Sequence, residues 1–268
     1  MRRDPAADAA LDGDAAAGPV AFARARADVY DLFAAVFDGD VDAFREAHAD
    51  GVFARLAATL PGQVDCDPLD SLEGDEAFAF AYDNLFVVPG ERYVPPFASA
   101  HATEPAEVFD SPSAYHDAGT AGEFLGRPAA TVSALYDRTG FEPTRGDGIP
   151  DHVAAVFEFQ AVLCRHEAER RDDGTDVAAG RDLQRSVVEA LSWLDAFDEA
   201  VCERDAAVGA FAALSSLART FVAWDARHAL ADTDGGPEAT TGNGPEATTD
   251  DETNRAETTA ATDLDADQ

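Results

Sequence analysis

The spacing of apolar residues is helical in nearly every segment of this chain, and this feature limits the fold more than any other. Phe22, Val29 and Phe33 lie seven and four residues apart, which places them on one face of an α-helix, and later segments repeat the pattern. No segment shows a convincing strand alternation, and no Asn-Gly hairpin signal occurs. We therefore predict an all-α fold, a single helical-bundle domain of roughly eight to ten helices.

The two ends of the chain differ from its middle in composition. Residues 232–268 contain almost no large apolar side chain and repeat the run Gly-Pro-Glu-Ala-Thr-Thr at positions 236 and 244. Such a segment cannot bury enough apolar surface to fold, so we predict a disordered acidic tail. Residues 1–19 are rich in Ala, Asp and Gly and are predicted to be a flexible N-terminal segment. The folded domain should then span residues 20–231.

The charge of the chain points to a halophilic protein. The net charge is −34, of which the tail contributes −10, and every basic residue is Arg because Lys is absent. A folded body this acidic repels itself in dilute buffer, whereas molar salt shortens electrostatic screening to about 3 Å. The lack of a basic stripe argues against nucleic acid as a partner, because phosphates need one.

Features of the N-terminus and the cysteines favour a cytoplasmic location. No apolar run approaches the ~20 residues of a membrane span, so no membrane insertion is expected. Arg2-Arg3 resembles the start of a twin-arginine export signal, but Asp4, Asp8 and Asp12 interrupt the apolar stretch such a signal needs. Three cysteines without a CxxC pair are typical of a reducing compartment.

The stretch from Tyr82 to Pro96 reads as the end of an apolar helix followed by extended chain. Four large residues share one helical face: Phe78, Tyr82, Leu85 and Phe86. Pro89-Gly90 then ends the helix, and Pro95-Pro96 forces an extended segment. From spacing alone, core packing explains this aromatic stripe more readily than a binding surface.

Pro150, Asp151 and His152 mark the start of a second helix. Pro at the first helical position and an acid in the first turn are ordinary helix initiation, but that interpretation leaves His152 unexplained. The alternative is functional: Asp151 and Glu158 lie seven residues apart on one face and form a small acidic strip.

Motifs for metal, nucleotide or covalent chemistry are missing from the sequence. A P-loop needs a Lys, Gly146-Asp-Gly148 reads as a turn, and Ser99 lacks a nucleophile elbow. His166, Glu167 and Glu169 are interpreted as a solvated helix face rather than metal ligands. We therefore expect no metal, no cofactor and no catalytic residue. Two alternatives stay open: an enzyme that uses Asp151 and His152 as an acid–base pair, and a helical scaffold without peptide specificity.

The order of these motifs resembles the TorD/DmsD/NarJ family of cytoplasmic redox-enzyme maturation chaperones. The run YDNLFVVPGERYVPPFAS is similar to the family's aromatic-x-x-Leu-Phe, Pro-Gly, Pro-Pro, Ser signature, and PDHVAAVFEF to its Pro-Asp-His helix. The segment from Trp193 to Phe221 resembles the closing helices of the family. There are departures: Tyr82 stands where some members have Trp, and His101 where Tyr often follows the Ser.

The resemblance implies a non-catalytic chaperone that binds the twin-arginine signal peptide of a molybdenum-dependent oxidoreductase precursor until cofactor insertion. It implies a monomer or a helix-swapped dimer, and it leaves open whether the client reduces nitrate, dimethyl sulfoxide or trimethylamine N-oxide. The predicted peptide-binding residues are Tyr82, Leu85, Phe86, Pro95, Pro96, Ser99, Asp151, His152 and Glu158. An Arg of the peptide could pair with the acids, and its apolar segment could dock on the aromatic stripe.

Overall fold

A computed structural model describes residues 13–72, 74–101 and 126–231, and within these ranges every regular element is helical. These described ranges contain nine α-helices: α1 Gly13–Phe37, α2 Val41–Ala49, α3 Val52–Thr59, α4 Asp75–Tyr82, α5 Arg127–Asp137, α6 Val153–Asp172, α7 Ala178–Ala190, α8 Leu194–Arg204 and α9 Ala210–His228. Short 3-10 turns cover Asp67–Leu72 and Ala98–Ala100, and a π-helical turn, Asp83–Val87, continues α4. The predicted all-α class is confirmed.

Two predictions fall wholly or partly outside the described residues. They concern residues 1–12 of the predicted flexible segment and the predicted tail from residue 232 onward. The described part belongs to one compact unit that ends at Ala231. Its first helix already begins at Gly13 and breaks at Gly18, where φ is +72°, just before Pro19.

Helices α1 and α6 form the centre of the bundle. All five residues from Val153 to Phe157 are buried, as expected of a helix that is surrounded by others. On α1 the buried side chains include Tyr30, Phe33 and Phe37. The rings of Phe33 and Phe157 lie 6.0 Å apart, centroid to centroid, so the two helices share an aromatic core.

A buried charge network ties four helices together. Arg26 of α1 is 2% exposed and donates to Glu167 of α6 at 2.9 Å, to Gln184 of α7 at 2.6 Å and to both carboxylate oxygens of Asp225 of α9. Tyr30 adds a hydrogen bond to Asp225 at 2.8 Å. A buried charge is tolerated only when it is paired in this way.

The interpretation of Glu167 as part of a solvated face is therefore wrong. His166 and Glu169 are exposed, but Glu167 is 4% exposed and binds Arg26. The partner lies 141 positions away in the sequence, beyond the reach of a local pattern.

No helix in the described ranges is long and apolar enough to cross a membrane. Likewise, no group of three or more side chains suited to a metal ion occurs among the residues described. The thiols of the three cysteines are free.

Candidate functional site

The two motifs that the sequence places about fifty residues apart are neighbours in space. After the Pro-Gly break, the chain from Pro95 to His101 runs beside the residues that open α6. Two backbone hydrogen bonds join them and form an antiparallel bridge between Phe97 and His152: Ala98 N–H to Asp151 C=O at 3.0 Å, and Val153 N–H to Pro96 C=O at 2.8 Å. We call residues 95–101 together with 151–153 the clasp.

Asp151 holds the clasp from inside. Its side chain is fully buried, and its Oδ2 accepts hydrogen bonds from the Ser99 backbone N–H at 2.7 Å and from the Ser99 hydroxyl. Its Oδ1 is also buried and has no hydrogen-bond partner among the described residues. Because an ionised carboxylate is costly to bury, these bonds fix the 3-10 turn at Ala98–Ala100 against α6.

His152 is the N-cap of α6. Its Nδ1 accepts a hydrogen bond from the Ala154 backbone N–H at 3.1 Å, so the helix begins at Val153. The prediction that Pro150 occupies the first helical position is therefore wrong. Histidine is not one of the usual N-cap residues, so its residue type gave no indication of this capping role. Burial lowers the pKa of His152 to about 4, against the opposing effect of Asp38, Asp147 and Asp151, so the ring is neutral near pH 7.

His101 closes the other end of the clasp. Its Nε2 lies 2.8 Å from the Pro95 carbonyl oxygen, and its ring stacks on Trp193 at 5.4 Å between centroids. Burial lowers its pKa, although the bond to Pro95 opposes the shift. The clasp is therefore packed against the start of α8.

Glu158 serves a different loop. Its carboxylate accepts hydrogen bonds from the backbone N–H of Thr144 at 2.9 Å and of Arg145 at 3.2 Å. Since Asp151 is fully buried and Glu158 holds this loop, the two acids do not form the open acidic strip that their spacing suggested.

The aromatic stripe faces the interior. Leu85 is 1% and Phe86 4% exposed, and the Phe86 ring packs against Phe37, Phe197 and Phe211. Tyr82 is half-buried and donates to the Phe37 carbonyl at 3.1 Å. Pro95 is half-buried and Pro96 buried. Direct contact of these side chains with a peptide stays a prediction, since this conformation uses them for packing.

The outer side of the same segment carries apolar residues that sequence reasoning missed. Phe80 is 71%, Val87 54% and Val88 53% exposed, and Pro89 is exposed as well. We call these four residues the apolar surface. The sequence did contain a signal for this exposure. Phe80 lies only two positions after Phe78, so helical spacing places the two residues on different faces.

Family comparison decides which proteins this chain resembles. A family model described as nitrate reductase delta subunit matches residues 46–199, more than half of the chain. The chain belongs to this family. No curated protein and no solved structure matches it.

The nitrate reductase delta subunit family is the NarJ/TorD-type group of redox-enzyme maturation chaperones, so the resemblance to that group is confirmed. The matched region runs from α2 into α8. It contains the whole clasp, the aromatic stripe and the apolar surface.

A separate cavity of about 580 Å³ lies between the segment 61–68 and α9. Its wall includes Cys202, Ser216 and Arg219, and the Arg219 guanidinium is bonded to Asp198 at 2.8 Å. None of the predicted site residues lines this cavity, so the family-matched clasp and the cavity are distinct features.

Proposed function

We propose that this member of the nitrate reductase delta subunit family binds the twin-arginine signal peptide of an apo molybdenum-dependent oxidoreductase in the cytoplasm. It would hold the precursor until the cofactor has been inserted, before export or assembly. The observation that carries the proposal is the clasp, because two motifs distant in sequence converge on one structure inside the region that matches the chaperone family.

The chemistry required is binding rather than catalysis. The Asp151–Ser99 bonds and the His101–Trp193 stack keep the segment 95–101 fixed, so that the neighbouring surface is preorganised for a peptide. A halophilic cytoplasm, which the charge of the chain predicts, would screen long-range attraction. We therefore infer that apolar docking supplies most of the affinity and that carboxylates set the register of the peptide.

The family acts on nitrate reductase-type molybdoenzymes, and we propose a client of this type. Dimethyl sulfoxide and trimethylamine N-oxide reductases are related alternatives. The precursor that co-purifies with the protein from its native cytoplasm would identify the client.

The acid–base alternative has weaker support. A general acid–base pair near neutral pH needs an accessible imidazole with a pKa close to 7. Burial lowers the pKa of His152 to about 4, its Nδ1 caps α6, and the Asp151 carboxylate is bonded to Ser99. No observation favours this function, and we do not propose it.

The test is capture of the precursor by the full chain in molar salt. An affinity-tagged protein is mixed with the oxidoreductase precursor, either intact or without its signal peptide, and the bound fraction is measured. We expect capture of the intact form and loss of most of it after truncation. Equal capture of both forms would refute the signal-peptide role.

A matched pair of serine variants links capture to the clasp. Ser99→Ala removes the hydroxyl that donates to Asp151, whereas Ser71→Ala alters an exposed serine of a 3-10 turn. We expect weaker capture with Ser99→Ala alone, with helical circular dichroism unchanged in both. Equal capture by the two variants would separate the clasp from peptide binding.

A further inference from the structure

The apolar surface stands out against the rest of the described chain. Among the described residues, five large apolar side chains are exposed: Phe80, Val87, Val88, Val162 and Val208. Three of the five fall within nine positions of the sequence. Single exposed apolar residues are ordinary, but their concentration marks an interaction site, above all in a chain with a net charge of −34.

Three carboxylates lie around Tyr82, which belongs to the same segment as this surface. Asp83 is exposed and directly follows Tyr82 in the chain. Asp38 follows Phe37, whose carbonyl accepts the Tyr82 hydroxyl, and Asp38 also accepts the Gly146 backbone N–H at 2.8 Å. That contact brings in Asp147, which is exposed. We call Asp38, Asp83 and Asp147 the acidic rim.

The electrostatics of Tyr82 agree with this geometry. Burial raises the pKa of its hydroxyl, and the charges of Asp38, Asp147 and Asp83 raise it further. Of the cations that the structure describes, Arg145 pairs with one of these acids, Asp38, at 3.5 Å. The rim therefore keeps a net negative charge.

We propose that the apolar surface and the acidic rim together dock a peptide whose arginines adjoin an apolar run. The apolar run would cover Phe80, Val87 and Val88, and the guanidinium groups would meet Asp83 and Asp147. This inference rests on the proposed function and deepens it. It assigns direct contact to outward-facing residues, while Leu85, Phe86 and Asp151 act behind them as positioning residues.

Charge complementarity selects this occupant over a second copy of the chain. Two copies that met through this face would bring their carboxylates together, and like charges in contact oppose association. A segment that combines arginine with apolar residues satisfies both parts of the surface. The twin-arginine signal peptide has this composition.

The apolar part is tested by measuring the affinity of the full chain for a fluorescent twin-arginine signal peptide. Phe80→Ser should weaken binding about tenfold or more, and Val87→Ser several-fold, because each removes apolar area from the contact. Val208→Ser is the matched control, since Val208 is 40% exposed and lies outside the surface. Its affinity should stay within about twofold of the unmodified chain.

The acidic part is tested with isosteric amides at two salt concentrations. Asp83→Asn and Asp147→Asn should each weaken binding severalfold at about 1 M KCl and less at about 3 M KCl, as screening grows. Asn also tolerates the positive φ of 53° at Asp147. Glu199→Gln, at an exposed acid of α8, serves as the control and should leave affinity unchanged.

The possible outcomes distinguish failure of this docking surface from failure of the proposed function. If the unmodified chain fails to bind the peptide, the proposed function is refuted and the inference with it. If it binds and Phe80→Ser and Val87→Ser bind equally well, only the inference is refuted. A dimer that is present in the unmodified chain and lost in Phe80→Ser, seen by light scattering, would reassign the surface to self-association.

Discussion

Replacement of Arg26 by Met should destabilise the bundle strongly. Arg26 is 2% exposed and donates four hydrogen bonds that join α1 to α6, α7 and α9. Met fills similar space but leaves the acids without their common cation. Glu167 keeps Arg171 at 2.7 Å and Arg181 at 3.2 Å, whereas Asp225 keeps only Tyr30 among its described side-chain partners.

The expected loss follows from this asymmetry. Removal of one partner from a buried ion pair costs about 3–5 kcal/mol, and most of that cost should arise at Asp225. Arg165→Met is the matched control, because Arg165 also joins α6 to α1, through Asp31 at 2.8 Å. Both side chains of that pair are more than 40% exposed, so its loss should cost about 0–1 kcal/mol.

Urea denaturation at a fixed molar salt concentration measures the difference. With an m-value of about 2–3 kcal/mol/M, Arg26→Met should lower the midpoint by roughly 1–2 M urea, and Arg165→Met by less than about 0.5 M. Circular dichroism reports the helix content of both variants. If Arg26→Met loses no more stability than Arg165→Met, the buried network does not stabilise the fold more than an exposed ion pair does.

Three further changes probe the clasp. Because burial lowers the pKa of His152 to about 4, the unfolded chain binds a proton first as pH falls, so stability should drop by up to about 3 kcal/mol between about pH 6.5 and pH 4. His152→Asn keeps a capping acceptor and should remove that part of the pH dependence in urea titrations; an unchanged pH profile would contradict it. Ser99→Ala should lower the free energy of unfolding by about 1–3 kcal/mol, because a buried carboxylate loses a hydrogen bond, whereas Ser71→Ala should lower it by a few tenths. Comparable shifts in the melting temperature of the two variants would contradict this prediction. Gly146→Ala should cost more than Gly148→Ala in denaturation: both have positive φ, but a Cβ at Gly146 would lie 2.7 Å from the His152 Cβ, while Gly148 has open space.

The helical class and the buried face of the segment around Phe78 were predictable from spacing, but its exposed face was not. Periodicity placed Phe78, Leu85 and Phe86 on one face, and that face is buried in the structure. The same pattern could not show that Phe80 would stay exposed, because exposure depends on which neighbours pack against the segment. The proximity of the motif around Ser99 to Asp151 was suggested by a family resemblance rather than by spacing.

Predictions from the sequence were wrong or incomplete for a residue whose partner is distant in the chain and for a residue whose type is unusual in its role. Glu167 looked solvated because its neighbours in the helix are charged, yet it is buried with Arg26. His152 was left unexplained because an imidazole N-cap is not among the common capping residues. Tertiary contacts determine the roles of both residues, and local sequence propensity carries no information about such contacts.

The π-helical turn at Asp83–Val87 has a consequence for how this family can diversify. A π turn corresponds to an α-helix with one extra residue, so the chain beyond it is rotated relative to the helix before it. Leu85 and Phe86 remain in the core, while Val87 and Val88 are turned outward. A single-codon deletion here would restore α-helical phase and rotate the valines away, while the core residues could stay in place. The deletion of one residue can thus change which side chains this segment exposes, without any change in the helices that support it.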